Sequence, residues 1–137
     1  MQQTELGFEV HLDLSYEQAL ESVIQALKEQ GFGVLTRIDV QATMKEKLNA
    51  DFRPYSILGA CNPPLAFKSL SANPEVGLML PCNVTVEALG EAQSLVRIAD
   101  PEMMLSVGGL SKDPALTEVA AQARSKLMLA AEKLESA

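Results

Sequence analysis

The strongest constraint on this chain is a change of hydrophobic period near its start. Over residues 6–13 the sequence alternates, with Phe8, Val10 and Leu12 pointing one way and Glu9, His11 and Asp13 the other. That is the pattern of a half-buried strand. Ser15 follows, with Gln18 three residues on, which is a capping box. Tyr16, Ala19, Leu20, Val23, Ile24 and Leu27 then recur at helical spacing, and Gly31 supplies the left-handed residue that ends the helix. A one-faced strand leading into a one-faced helix requires a layered fold, because each element must bury its apolar side against the other.

The rest of the chain continues the alternation. A strand is predicted over 33–38, after which Asp39 caps a shorter helix carrying Val40, Met44 and Leu48, with Asn49 as its stop. Residues 54–61 read as a strand. Asn62 and Pro63 then form a cap and first-turn pair opening a helix through Leu65, Ala66, Phe67 and Leu70, which closes near Asn73-Pro74. A long strand is expected from Gly77 to about Leu89, with Leu78, Leu80, Cys82, Val84 and Val86 on one face. Pro81 has no N–H and demands an edge or a bulge there. Gly90 turns the chain into a partner strand over 92–99, with Val96 and Ile98 inward. Asp100-Pro101 starts a helical turn through Met103 and Met104. Asp113-Pro114 opens the last helix, which buries Leu116, Val119, Ala120, Ala123, Leu127 and Leu134. The expected order is β-α-β-α-β-α-β-β-α. The fold class is α+β, a mostly antiparallel sheet with helices packed on one face. No linker or repeat divides residues 1–137, so one domain is expected.

Composition narrows the function classes. The 137 residues are 47% apolar, with no Trp, four Phe and two Tyr, so the core is aliphatic. The formal charge of −7 repels phosphate backbones and anionic lipid. Neither a nucleic-acid nor a membrane partner is expected. The longest apolar run falls short of the roughly 20 residues of a spanning helix. The first residues lack the basic-then-apolar order of a signal peptide. The expected compartment is the cytoplasm, where Cys61 and Cys82 stay reduced.

Several stretches resemble a prokaryotic family described as domain of unknown function 302. They are Phe52-Arg53-Pro54-Tyr55-Ser56-Ile57-Leu58-Gly59-Ala60-Cys61-Asn62-Pro63-Pro64, Gly77-Leu78-Met79-Leu80-Pro81-Cys82-Asn83-Val84, Gly31-Phe32-Gly33-Val34-Leu35-Thr36, Ile38-Asp39-Val40, and Asp100-Pro101-Glu102-Met103-Met104. The resemblance runs from about residue 8 to about 134. It implies an antiparallel α+β fold similar to the TATA-binding-protein-like class, and a homodimer. It implies no activity.

The candidate site residues are the two Cys-Asn pairs. Cys61 ends a predicted strand just before a helix N-terminus, where backbone N–H groups and the helix dipole favour an anion such as a thiolate. Asn62 would line the same place. Against this stands a small buried residue facing the core, the commoner fate of cysteine. Cys82, mid-strand between Leu80 and Val84, reads still more as packing. If their strands are neighbours, the two thiols approach as a redox pair or as two ligands of a soft metal ion. Their spacing of 21 residues is no standard zinc pattern, so no metal and no cofactor is assigned.

Other groups carry less chemistry. Met103 and Met104 are candidates for a pocket or dimer contact. Arg53 and Arg97 are candidate anion contacts, against a commoner salt-bridged role. His11, the one histidine, reads as a solvated side chain. The glycine pairs do not make a phosphate loop, since Gly31 and Gly33 follow a helix and Gly108-Gly109 lacks a following Lys-Ser or Lys-Thr. Three readings follow. The leading one is a homodimeric module binding a small molecule or anion near Cys61, Asn62, Cys82 and Asn83. The others are a thiol protein using Cys61 with Cys82, and a structural or protein-interaction subunit.

Overall fold

A computed structural model describes residues 1–136. Its elements are Gln2–Gln3 (β1), Gly7–Leu12 (β2), Tyr16–Glu29 (α1), Gly33–Asp39 (β3), Val40–Leu48 (α2), Tyr55–Cys61 (β4), Pro63–Ala72 (α3), Cys82–Gly90 (β5), Gln93–Ala99 (β6), Pro101–Met104 (α4) and Pro114–Glu135 (α5). Short 3-10 segments occupy Pro74–Met79 and Leu110–Lys112. The strands form one antiparallel sheet in the order β1-β2-β6-β5-β4-β3.

Local chemistry explains most of these boundaries. Ser15 and Gln18 make both halves of the capping box on α1. Asp39 accepts from Ala42 N at the start of α2, and Asn49 ends it at φ 52°. Asn62, Asp100 and Asp113 each cap a helix whose next residue is proline. Proline loses nothing at a first helical position, whose N–H has no partner in the helix.

Two expectations need correction. The order gains β1, a two-residue edge strand pairing Gln2 with Glu9, and must count the helical turn expected at Asp100-Pro101, which forms α4. The long strand from Gly77 is not formed either. Asn73 caps Pro74–Met79 as a 3-10 helix by accepting from Glu75 N, and β5 begins only after Pro81. The alternation of Leu78, Leu80 and Cys82 is therefore not a shared sheet face, and Leu78 is 83% exposed.

The helices lie on one side of the sheet. A large aliphatic core joins Phe8, Val10, Leu58, Val84, Val86, Val96 and Ile98 of the strands to Val23 and Leu27 of α1 and to Val119, Ala123 and Leu127 of α5. Burying each Leu or Val contributes about 1.5–3 kcal/mol. Polar groups inside it are paired: Ser94 Oγ donates to Leu14 O at 2.9 Å, and Arg37 Nε donates to Ser56 Oγ at 3.0 Å. A second, smaller core holds Val76, Leu105, Leu110, Leu116 and Ala120, with Met79 and Leu80 packed against it. Helix α2 contributes no buried residue, and Leu48 is exposed.

Candidate functional site

A cavity of about 930 Å³ is bordered by residues of both cores and by Glu9, Thr85 and Arg97 of the sheet. Small-molecule pockets run from roughly 300 to 1,000 Å³ and are mostly apolar with a few placed polar groups. This one has Phe32, Leu65, Ala66, Leu80, Ala120 and Ala123 among its apolar walls.

The register of β4 against β5 brings both Cys-Asn pairs to it. Ala60 pairs with Cys82 and Gly59 with Asn83, so the end of β4 lies beside the start of β5. Side chains alternate along a strand. Cys82 therefore shares a face with Ala60 and packs against the large core, while Cys61, one step further along, belongs to the opposite set. Both are half-buried free thiols, and both line the cavity. Burial, and secondarily the neighbouring Cys61, push the Cys82 thiol up to about 11. At neutral pH Cys82 is a thiol, not a thiolate.

Asn62 serves the fold and the cavity together. Its Oδ1 accepts from Leu65 N at 3.3 Å, capping α3, and the side chain is buried. Its Nδ2 stands 3.1 Å from where a side chain on Gly31 would begin, and Gly31 has φ +82°. Glycine is needed at that position for its left-handed backbone. Asn83 is exposed at the cavity mouth. Met103 and Met104, half-buried on α4, complete the set of candidate residues along the lining.

The sheet face away from the helices carries charge. Arg97 donates from Nε to Glu9 at 2.8 Å and from its terminal nitrogen to Glu87 at 2.6 Å; Arg53 Nε donates to Glu87 at 2.6 Å. Arg53 also lies over Phe52 and Tyr55, 4.7 and 5.7 Å from the ring centres. The Glu87 side chain is 4% exposed. Its burial pushes the carboxyl up, but the hydrogen bonds and charges of Arg53 and Arg97 outweigh that and hold it below the ordinary value. Arg97 borders the cavity; Arg53 is held by Glu87 and the aromatic rings instead. His11 is exposed and lies outside the lining.

The structure adds lining residues that sequence reasoning missed. Met79 reaches the cavity from the 3-10 segment, a placement hidden by reading that stretch as strand. Thr85 also lines it, and its Oγ1 is buried without a hydrogen-bond partner among the described residues. No group of three or more His, Cys, Asp or Glu side chains that could hold a metal occurs among the described residues.

The profile of a family described as Domain of unknown function DUF302 matches residues 8–134, taking in both Cys-Asn pairs and, but for Gly7, every strand after β1. The chain belongs to the DUF302 family. A solved member, the crystal structure of uncharacterized conserved protein DUF302 from Bacillus stearothermophilus, is similar in fold with a TM-score of 0.82 and 30% sequence identity. The similarity covers 96% of this DUF302 chain and 99% of that one. No curated protein matches. The family and the shared fold assign no function. No helix of the described residues is long and apolar enough to cross a membrane.

Proposed function

We propose that this DUF302 protein is a homodimeric binding module whose cavity takes a small, mostly apolar molecule. The observation that carries the reading is the cavity of about 930 Å³ bordered by Cys61, Asn62, Cys82, Asn83, Met103 and Met104. An apolar body fits the aliphatic walls, and the unpartnered Thr85 hydroxyl offers a hydrogen bond. The test is titration with a neutral apolar fluorophore, N-phenyl-1-naphthylamine. Saturable binding is expected, and Ala66→Phe, which fills the cavity, abolishes it. At a hundredfold excess over Kd the probe stabilises the fold by about 2.7 kcal/mol. A linear, unsaturable signal that is the same in both proteins overturns the reading.

The homodimer is argued from the helix-free sheet face. Leu35, Ile38, Phe52 and Leu89 are exposed. Glu9, Arg97, Glu87 and Arg53 neutralise one another at its centre, so two acidic chains can meet there without like-charge repulsion. Native mass spectrometry reads twice the chain mass, and Ile38→Asp returns the monomer; a monomer for the unchanged chain overturns this part. A reducing compartment, the cytoplasm, suits two free thiols at one cavity. The thiol-pair alternative has the β4–β5 register in its favour, but the raised Cys82 value works against a reactive partner thiolate.

A further inference from the structure

Four charges on the helix-free face of the sheet form one row. Glu9 of β2, Arg97 of β6, Glu87 of β5 and Arg53, just ahead of β4, are joined by successive ion pairs of 2.8, 2.6 and 2.6 Å. Their signs alternate, so the row read backwards carries the opposite sign at every place. Its midpoint falls between β6 and β5, which are also the middle pair of the six-stranded order. Consider a twofold axis lying in that face, along the strands and between β6 and β5. It sets β2 of one copy over β4 of the other, and β6 over β5. Glu9 then faces the partner's Arg53, and Arg97 faces the partner's Glu87. A twofold contact joins one patch to itself, so the patch must be self-complementary, and this one is. An axis across the strands would lay like charge on like.

We propose that a second copy docks in this register and roofs the cavity, so that the binding site is complete only in the dimer. The inference rests on the binding-module reading above and adds what closes its site. Glu9, Thr85 and Arg97 border the cavity and alternate along their strands with core residues such as Phe8, Val84 and Ile98. Alternation puts them on the helix-free face. The cavity therefore reaches round the end of the sheet, from α3 and α5 on one side to that face on the other. There its rim includes Leu6 and Leu35, 69% and 68% exposed.

Rotation about an axis along the strands keeps the same end of both sheets together, so the two cavity mouths meet. The strand pairings place Gly7, Ala99, Asn83, Gly59 and Thr36 in one row across the sheet. Leu6 and Leu35 flank the two ends of that row. The axis carries β1 over β3 of the other copy, which brings Leu6 towards the partner's Leu35. Complementary charges set register more than affinity. The affinity comes from burying Leu6, Leu35, Ile38 and Leu89, all exposed in the single chain.

The experiment measures dimer dissociation of the unchanged full-length chain by sedimentation velocity, with and without saturating N-phenyl-1-naphthylamine. Binding and association are linked, so the probe lowers the dimer dissociation constant by about 10-fold or more. The monomeric Ile38→Asp chain, altered outside the cavity lining, binds the probe weaker by a similar factor. A second measurement tests the register. Glu9→Lys and Arg53→Glu each set like charges against the partner and yield monomers, whose fold circular dichroism checks. Mixing the two, one isotopically labelled, restores a heterodimer in native mass spectra, because Lys now faces Glu and Arg53 still faces Glu9. Folded variants that fail to pair on mixing overturn the register. A dimer constant unmoved by the probe, or a chain that stays monomeric with it, overturns this inference and leaves the cavity reading standing. An unsaturable probe signal defeats the cavity reading itself.

Discussion

Cys61 and Cys82 are each followed by asparagine, yet a single step of strand alternation gives them different surroundings. Because the folded Cys82 value is raised, the native state keeps a proton that the unfolded chain has released. That stabilisation is full below the ordinary value of 9.0 and is lost as pH rises towards about 11. Across that window the folding free energy falls by about 2–3 kcal/mol. Urea denaturation checks it, and Cys82→Ala flattens the fall. Gly59 makes a steric prediction at the same scale. A Cβ there meets Thr36 Oγ1 at 2.2 Å and Pro81 Cγ at 2.8 Å. Gly59→Ala destabilises by about 1–3 kcal/mol, the cost of overpacking. It also shifts Pro81, a cavity wall, so probe affinity falls with it.

Among the elements, capping chemistry was the most legible signal. The Asn-Pro or Asp-Pro pairs at 62, 100 and 113 each start a helix where the sequence puts one. The same signature at Asn73-Pro74 reads, in sequence, only as the end of α3. Leu78, Leu80, Cys82, Val84 and Val86 alternate so regularly that they mask the turn before them. The proline at 81, which cannot join the ladder, was the evidence for a break. Replacing Asn73 with Ala removes the cap on the 3-10 segment. A loss of about 1 kcal/mol in thermal or chemical melts is expected. The cavity was only half legible for a related reason. The Cys-Asn pairs are local sequence, and their partner strands could be guessed. The walls supplied by Ala66, Thr85, Ala120 and Ala123 depend on how α3, α5 and the sheet pack together, and no local pattern encodes that.

Across the whole molecule, the open sheet face is tied together by a buried carboxylate. Glu87 of β5 holds Arg97 of β6 and Arg53 ahead of β4, and Arg97 holds Glu9 of β2. Its folded value is lowered, so its contribution is complete above the ordinary carboxyl value and disappears as pH falls through the lowered one. Arg97→Ala leaves Glu87 with one partner. Because Arg97 is 44% exposed and Arg53 still pairs with Glu87, the change costs about 1 kcal/mol at neutral pH and moves the acid-unfolding midpoint upward, readable by circular dichroism. The division of the interior into a large and a small core has another consequence. Met79, Leu80, Leu105 and Ala120 belong to the small core and also form one wall of the cavity. A small cluster opens at lower free energy than a large one. Met79, Leu80 and Leu105 can therefore loosen at a lower free energy than the sheet, α1 and α5, which the large core joins. Residence time of a ligand in this pocket is then expected to be a property of the smaller core around Val76 and Leu105, and not of the rate at which the molecule unfolds.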